Sequence, residues 1–235
     1  MRLEESTAKR GLALATRHTA LALVAATTLL VGCNTRTPMR IRPGPVVESS
    51  TIARSSEFMA KVAVMPFYPV SASGRSIGGG PQQVNWENAA LVSSYIAEAL
   101  AAQGVAVIPA SDLEQTFAAH GQAVPRLDAR TAAMRAAEDF GATAVVIGKV
   151  SRWRERQGGA AGATGPASIA FEVALHQAPT GRRLWTGRFD ETQQSITENI
   201  LRARQYPGAG THWMTASEFA RWGAAEVARS MNAAP

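Results

Sequence analysis

The chain begins with a polar stretch, residues 1–18, that carries Arg2, Lys9, Arg10 and Arg17 and ends in Arg17-His18. An uncharged apolar run of thirteen residues, TALALVAATTLLV, fills 19–31. It has the length of a signal-peptide core and falls short of the ~20 residues of a membrane-spanning helix. Residues 34–57, NTRTPMRIRPGPVVESSTIARSSE, are polar and basic with three prolines, a pattern that predicts an extended tether. The tether holds Arg36, Arg40 and Arg42. Fully extended, its ~24 residues would reach up to ~80 Å.

From Phe58 the pattern turns to folded structure. Lys61–Phe67 predicts a compact apolar strand. After a Gly/Ser/Pro-rich loop at 69–84, Asn85 is placed to cap a helix on which Leu91, Val92, Tyr95, Ile96, Ala99 and Leu100 recur at helical spacing up to Gly104. Val105–Ile108 reads as a short strand. Ser111-Asp112-Leu113-Glu114 has the form of a capping box opening a helix to about His120. A helix from Asp128 to Phe140 stops at Gly141. Thr143–Val150 predicts a buried strand running on through Trp153, and 157–166 predicts a hairpin loop. In Ser168–His176, Ile169, Phe171, Val173 and Leu175 alternate as on a half-buried strand. A turn at Pro179-Thr180-Gly181 leads to a return strand, Leu184–Thr192. Residues 195–204 read as helical. A second capping box, Thr215-Ala216-Ser217-Glu218, opens a last helix to about Met231. The predicted order β-α-β-α-α-β-β-β-α-α gives an α/β (α+β) domain, a single small mixed sheet with helices packed against it. It lacks the long βαβ alternation of a full dinucleotide-binding fold.

The apolar run ends in Leu30-Val31-Gly32-Cys33, and Cys33 is the one cysteine in 235 residues. The segment resembles the bacterial lipobox. That resemblance implies lipid on the Cys33 sulfur, cleavage before Cys33 and acylation, for example with palmitate, of the new amine. The alternative is an ordinary signal peptide with a cysteine there by chance. The expected domains are a lipoprotein signal peptide at 1–32, lipidated Cys33 and linker at 33–57, and a periplasmic α/β domain at 58–232. Asn34, in place of an aspartate, favours the outer membrane by the same resemblance.

Composition narrows the chemistry. A single cysteine excludes a disulfide framework and any multi-cysteine zinc or iron–sulfur centre. The net charge is +6, and it falls to +4 when residues 1–32, with four basic and two acidic residues, are removed. That balance permits contact with anionic polymers or headgroups without requiring it.

Four segments together resemble the TolB-N-terminal/CsgG/LpoB-like family of bacterial envelope lipoproteins. They are Val62–Phe67, Val92–Val107, Gly141–Val150 and Phe171–Trp185, spanning about residues 60–190. The resemblance implies a small α/β domain that works by contacting other proteins. Members activate cell-wall synthases, form rings in export, or serve envelope assembly. The polar strand Arg182–Thr192 departs from a lipid-facing barrel. Residues 193–235 match no member that can be specified.

Motif chemistry is sparse. Gly78-Gly79-Gly80 is followed by Pro81-Gln82, where a phosphate loop needs Lys-Ser/Thr. His120, His176 and His212 show no zinc-ligand spacing, so no metal and no cofactor are expected. No Gly-x-Ser-x-Gly elbow is present. Asp190 and Glu191 are strand neighbours facing opposite ways, which makes no carboxylate dyad. The expectation is a protein that is not an enzyme.

Arg152, Arg154 and Arg156 alternate around Trp153 and Glu155, with Arg182, Arg183 and Arg188 on the next hairpin. They form either a basic surface for an anionic partner or a solvated, charge-protected strand edge. The tail places Trp213 before the last helix and Phe219 and Trp222 on one side of it. Aromatics at that spacing form core or an exposed partner patch. Arg152, Arg154, Arg156, Trp213 and Trp222 are therefore the candidate interaction surface. The expected partners are the membrane, through lipid on Cys33, and an envelope protein complex. Homo-oligomers are possible partners too, and nucleic acid is not expected. Two alternatives stand beside docking: a self-assembling ring or scaffold of an exporter, and a hydrolase or glycan-binding module with an unrecognised site.

Overall fold

In this computed structural model, residues 46–53, 56–70, 84–121 and 128–233 are described. Cys33, most of the tether and Gly78–Gly80 lie outside them. Nine strands are described: β1 (Val47–Thr51), β2 (Lys61–Val64), β3 (Tyr68–Pro69), β4 (Ala106–Ile108), β5 (Ala144–Arg154), β6 (Gln157–Gly158), β7 (Ala163–Gly165), β8 (Ser168–Gln177) and β9 (Arg183–Thr192). The α-helices are α1 (Trp86–Ala101), α2 (Ala110–Ala119), α3 (Ala129–Phe140), α4 (Ile200–Ala203) and α5 (Ala216–Asn232).

The main sheet runs β1-β9-β8-β5-β2-β4, with β3 paired to β5. β2 is parallel to β4 and β5, whereas β8 and β9 form an antiparallel meander on β5. The expected mixed sheet with packed helices is therefore present. A separate two-stranded sheet joins β6 and β7 within 157–166, which the sequence pattern presents as a loop.

Alternation along β2 and β5 sends successive side chains to opposite layers. Val62, Val64, Ala144 and Val146 face a core that includes Val92, Ile96 and Leu100 of α1 and Phe219 and Val227 of α5. Ala63, Met65 and Val145 face Leu113 and Phe117 of α2 and Ala132, Ala133 and Ala136 of α3. Burying each of the larger side chains contributes roughly 1.5–3 kcal/mol.

Helix ends follow local chemistry. The Asn85 side chain accepts from the Asn88 N–H at 2.7 Å. Asp128 accepts from the Arg130 and Thr131 N–H groups, both at 3.0 Å. Gly141 closes α3 at φ 65°, the left-handed conformation glycine adopts without strain. The Thr215 capping box is complete: the Thr215 hydroxyl accepts from the Glu218 N–H at 3.2 Å, and the Glu218 carboxylate accepts from the Thr215 N–H at 2.8 Å. A second carboxylate, Glu155, accepts from the Ala216 N–H at 3.0 Å. Both anions sit at the positive end of the α5 dipole.

Three expectations are corrected. Residues 47–51 are not tether but a sheet strand: β1 pairs antiparallel with β9, Glu48 opposite Arg188 and Ser50 opposite Thr186. Ser111 caps nothing. α2 begins at Ala110, two residues earlier than a Ser111 cap would start it, its N-cap is Pro109, and the Ser111 hydroxyl donates to Asp112 instead. Within 195–204, only Ile200–Ala203 is α-helical, capped by Asn199.

Candidate interaction surface

On one side the meander is packed against α1 and α5. On the other, α2 and α3 cover β2, β4, the start of β5 and part of β8, and the remainder of β5, β8, β9 and β1 carries no helix among the described residues. The residues on this open face stand in rows set by strand register. Lys149, Glu172, Arg188 and Glu48 lie side by side across β5, β8, β9 and β1, alternating in sign. Lys149 and Glu172 form an ion pair at 2.9 Å. Opposite charges directly across an antiparallel pair stabilise it modestly. The adjoining row is Ile147, Ala174, Thr186 and Ser50, small and largely neutral. It floors a shallow groove of about 610 Å³ bordered by Tyr68, His176 and Arg183.

Asp190 anchors the next part of the face. It accepts from both Arg188 and Arg152. Burial pushes its carboxyl pKa up, but the two guanidinium partners outweigh this and hold it below the usual carboxylate range. Arg188 is held above its ordinary value, first by its hydrogen bond to Asp190. Glu191 points the opposite way, as strand geometry requires, and pairs with Arg202 at 3.1 Å. Its burial raises its pKa, with Arg202 opposing.

The arginine stripe is not a free basic patch. Arg152 donates to the Ser168 hydroxyl at 2.7 Å as well as to Asp190. Arg156, beyond the end of β5, donates to the Trp213 carbonyl. The Arg154 Nε is buried without a hydrogen-bond partner among the described residues. Partners 38 and 57 residues away in sequence thus absorb Arg152 and Arg156. Nor is Trp222 a surface anchor. It is 8% exposed, stacked on Phe219 at 5.6 Å and edge-on to Phe189 and Tyr206 at 5.6 and 5.2 Å. Trp213 is half-buried and belongs to neither core cluster.

His176 Nδ1 bonds the Gly181 carbonyl at 3.0 Å, and His120 Nδ1 bonds the Thr116 carbonyl at 2.9 Å. No group of three potential metal ligands converges among the described residues. No helix among them is long and apolar enough to cross a membrane. Sequence reasoning missed the row from Lys149 to Glu48, because it depends on register among four strands and one of those strands reads as linker.

No family model matches the chain, and no curated protein matches it. Solved structures similar to it include the PelC dodecamer from Paraburkholderia phytofirmans, at 18% identity and TM-score 0.47, over 80% of this chain and 98% of that one. Lipoprotein GNA1162 from Neisseria meningitidis is 21% identical over 58% of this chain and 82% of its own, with a TM-score of 0.39. The LpoB C-terminal domain from Escherichia coli is 18% identical over 57% and 84%, with a TM-score of 0.39.

Proposed function

We propose that the chain is a lipid-anchored protein of the outer membrane, facing the periplasm, whose α/β domain docks onto an envelope protein complex and performs no catalysis itself. The address rests on Leu30-Val31-Gly32-Cys33 after the thirteen-residue apolar run. The docking reading is carried by one observation, the helix-free face of β1, β9, β8 and β5 with its small-residue row beside a row of alternating charge. A partner with complementary charge order would be held in register there, and electrostatic order of this kind gives specificity more than raw affinity. Anchoring both partners in one envelope raises their effective concentration.

The test is crosslinking in intact cells, followed by capture of the tagged, lipidated protein, in native form and with Ala174→Arg on the groove floor. Docking requires that a defined envelope protein is recovered with the native chain and lost with the variant. Equal recovery by both, or recovery of nothing, would refute docking through this face. A second reading, self-assembly, draws on β1, which among the described residues is a sheet edge and has no proline or lysine to guard it. Recovery of only the protein's own copies would favour it.

A further inference from the structure

A second groove, of about 470 Å³, lies at the far end of the sheet from the docking row. Its lining includes Thr164 of β7, Thr192 of β9, then Gln194, Glu198 and Trp213. Trp213 is unlike the other aromatics of the tail. Phe219, Trp222 and Tyr206 pack on one another, whereas Trp213 has no aromatic neighbour among the described residues and lies outside both core clusters.

The backbone around this ring is nevertheless held firmly. The Trp213 N–H donates to the Ala160 carbonyl at 2.9 Å, and its own carbonyl accepts from Arg156. On either side, the buried Gln193 amide clasps the chain: Nε2 donates to the His212 carbonyl at 2.9 Å, and Oε1 accepts from the Met214 N–H at 2.8 Å. The surroundings are fixed in the same way. Glu198 Oε2 accepts from the Ser195 N–H at 2.8 Å and the Ser195 hydroxyl at 3.1 Å, which orients the carboxylate while Oε1 stays available. The Gln194 N–H donates to the Tyr206 hydroxyl at 3.2 Å, and the residue is exposed. A flat apolar ring that adds nothing to the core is thus pre-organised beside an amide, a carboxylate and hydroxyls.

That combination fits one ligand chemistry. A pyranose has an apolar C–H face, which matches an indole, and a rim of hydroxyls, which match an amide and a carboxylate. The lining has no deep apolar hole for a peptide side chain. Its one charged residue is Glu198, so it offers nothing to a phosphate or a uronic acid. We propose that this groove binds a pyranose unit of a neutral or amino-sugar chain, stacked on Trp213 and hydrogen-bonded by Gln194 and Glu198.

The experiment is calorimetric titration of the full lipidated chain in detergent micelles with three probes: tri-N-acetylglucosamine, cellotriose and tri-galacturonate. At least one of the first two should bind saturably, and tri-galacturonate should not. Trp213→Ala should weaken binding about tenfold or more, the scale of one lost stacking contact. Gln194→Ala should weaken it severalfold, and Glu198→Gln should admit tri-galacturonate. Circular dichroism checks folding. If Trp213→Ala does not fold, Trp213→Phe and Gln194→Ala decide the matter. Absence of saturable binding by both neutral probes, or affinities unchanged in these variants, would overturn the proposal. Because the groove is separate from Ala174, the result is independent of the docking experiment.

Discussion

Gly223 of α5 lies against the ring of Phe189 on β9: a Cβ at Gly223 would stand 2.8 Å from two of the ring's carbons. The helix can lie this close to the strand only because the residue is glycine. Phe189 is itself wedged among Phe171, Phe219 and Trp222, so the ring has no room to withdraw. Gly223→Ala should therefore destabilise the domain by about 1–3 kcal/mol through overpacking. The better helix propensity of alanine, worth up to ~1 kcal/mol, offsets part of that cost. Urea denaturation with an unchanged slope and a lower midpoint is the expected result.

Gln193 is 3% exposed and both ends of its amide are used by backbone groups. Gln193→Ala removes a donor and an acceptor at once and leaves the His212 carbonyl and Met214 N–H in a poorly solvated place. The cost should be about 2–3 kcal/mol. Hydrogen exchange should show the Met214 amide losing protection well before amides of β5.

Much of the fold is legible in the sequence, for reasons that particular residues make clear. Asn85, Asp128, Gly141 and Thr215 act on backbone groups within five residues, so their chemistry is visible locally. β5 and β8 are buried enough for apolar residues to mark them. β1 shows the limit. Only Val47 of VESST is buried, so the strand has no alternation to display, and its evidence lies in β9, some 140 residues later. The arginines mislead for the same reason: Arg152 alternates correctly, but Asp190, which neutralises it, is distant in sequence. Trp213 and Trp222 look alike in sequence, yet Trp222 is buried on the inner face of α5 whereas Trp213, ahead of that helix, is only half-buried.

Acid should expose the role of Asp190. Its folded pKa lies below that of the unfolded chain, so its contribution is present above the unfolded value, near 3.9, and is lost as pH falls through the folded value. Glu191 has the opposite sign: its raised pKa gives a contribution present below the unfolded value and lost as pH rises through the folded one. Asp190→Asn should accordingly lower stability near neutral pH and flatten its decline below about pH 4. Thermal melts across pH 2.5 to 7 measure both.

Cys33→Ser tests the address directly. The variant should lose incorporation of labelled palmitate and move from the membrane to the soluble fraction, since several acyl chains, at ~0.8 kcal/mol per buried methylene, supply the anchoring. The domain's melting temperature should not change.

The strand β1 also alters how the domain would be mounted. With Cys33 lipidated, the folded part would begin at Val47, and the thirteen intervening residues would span at most ~50 Å, not the ~80 Å of a tether ending at residue 57. Among the described residues β1 has β9 as its one strand neighbour, so any tension between membrane and domain enters through five residues at the rim of the sheet. Under a pull on such an anchor, β1 should be the first element to part, lengthening the leash by about 15–20 Å while the core stays folded. With Cys33 lipidated, the mount would act as a mechanical fuse, with its extra reach stored in an edge strand.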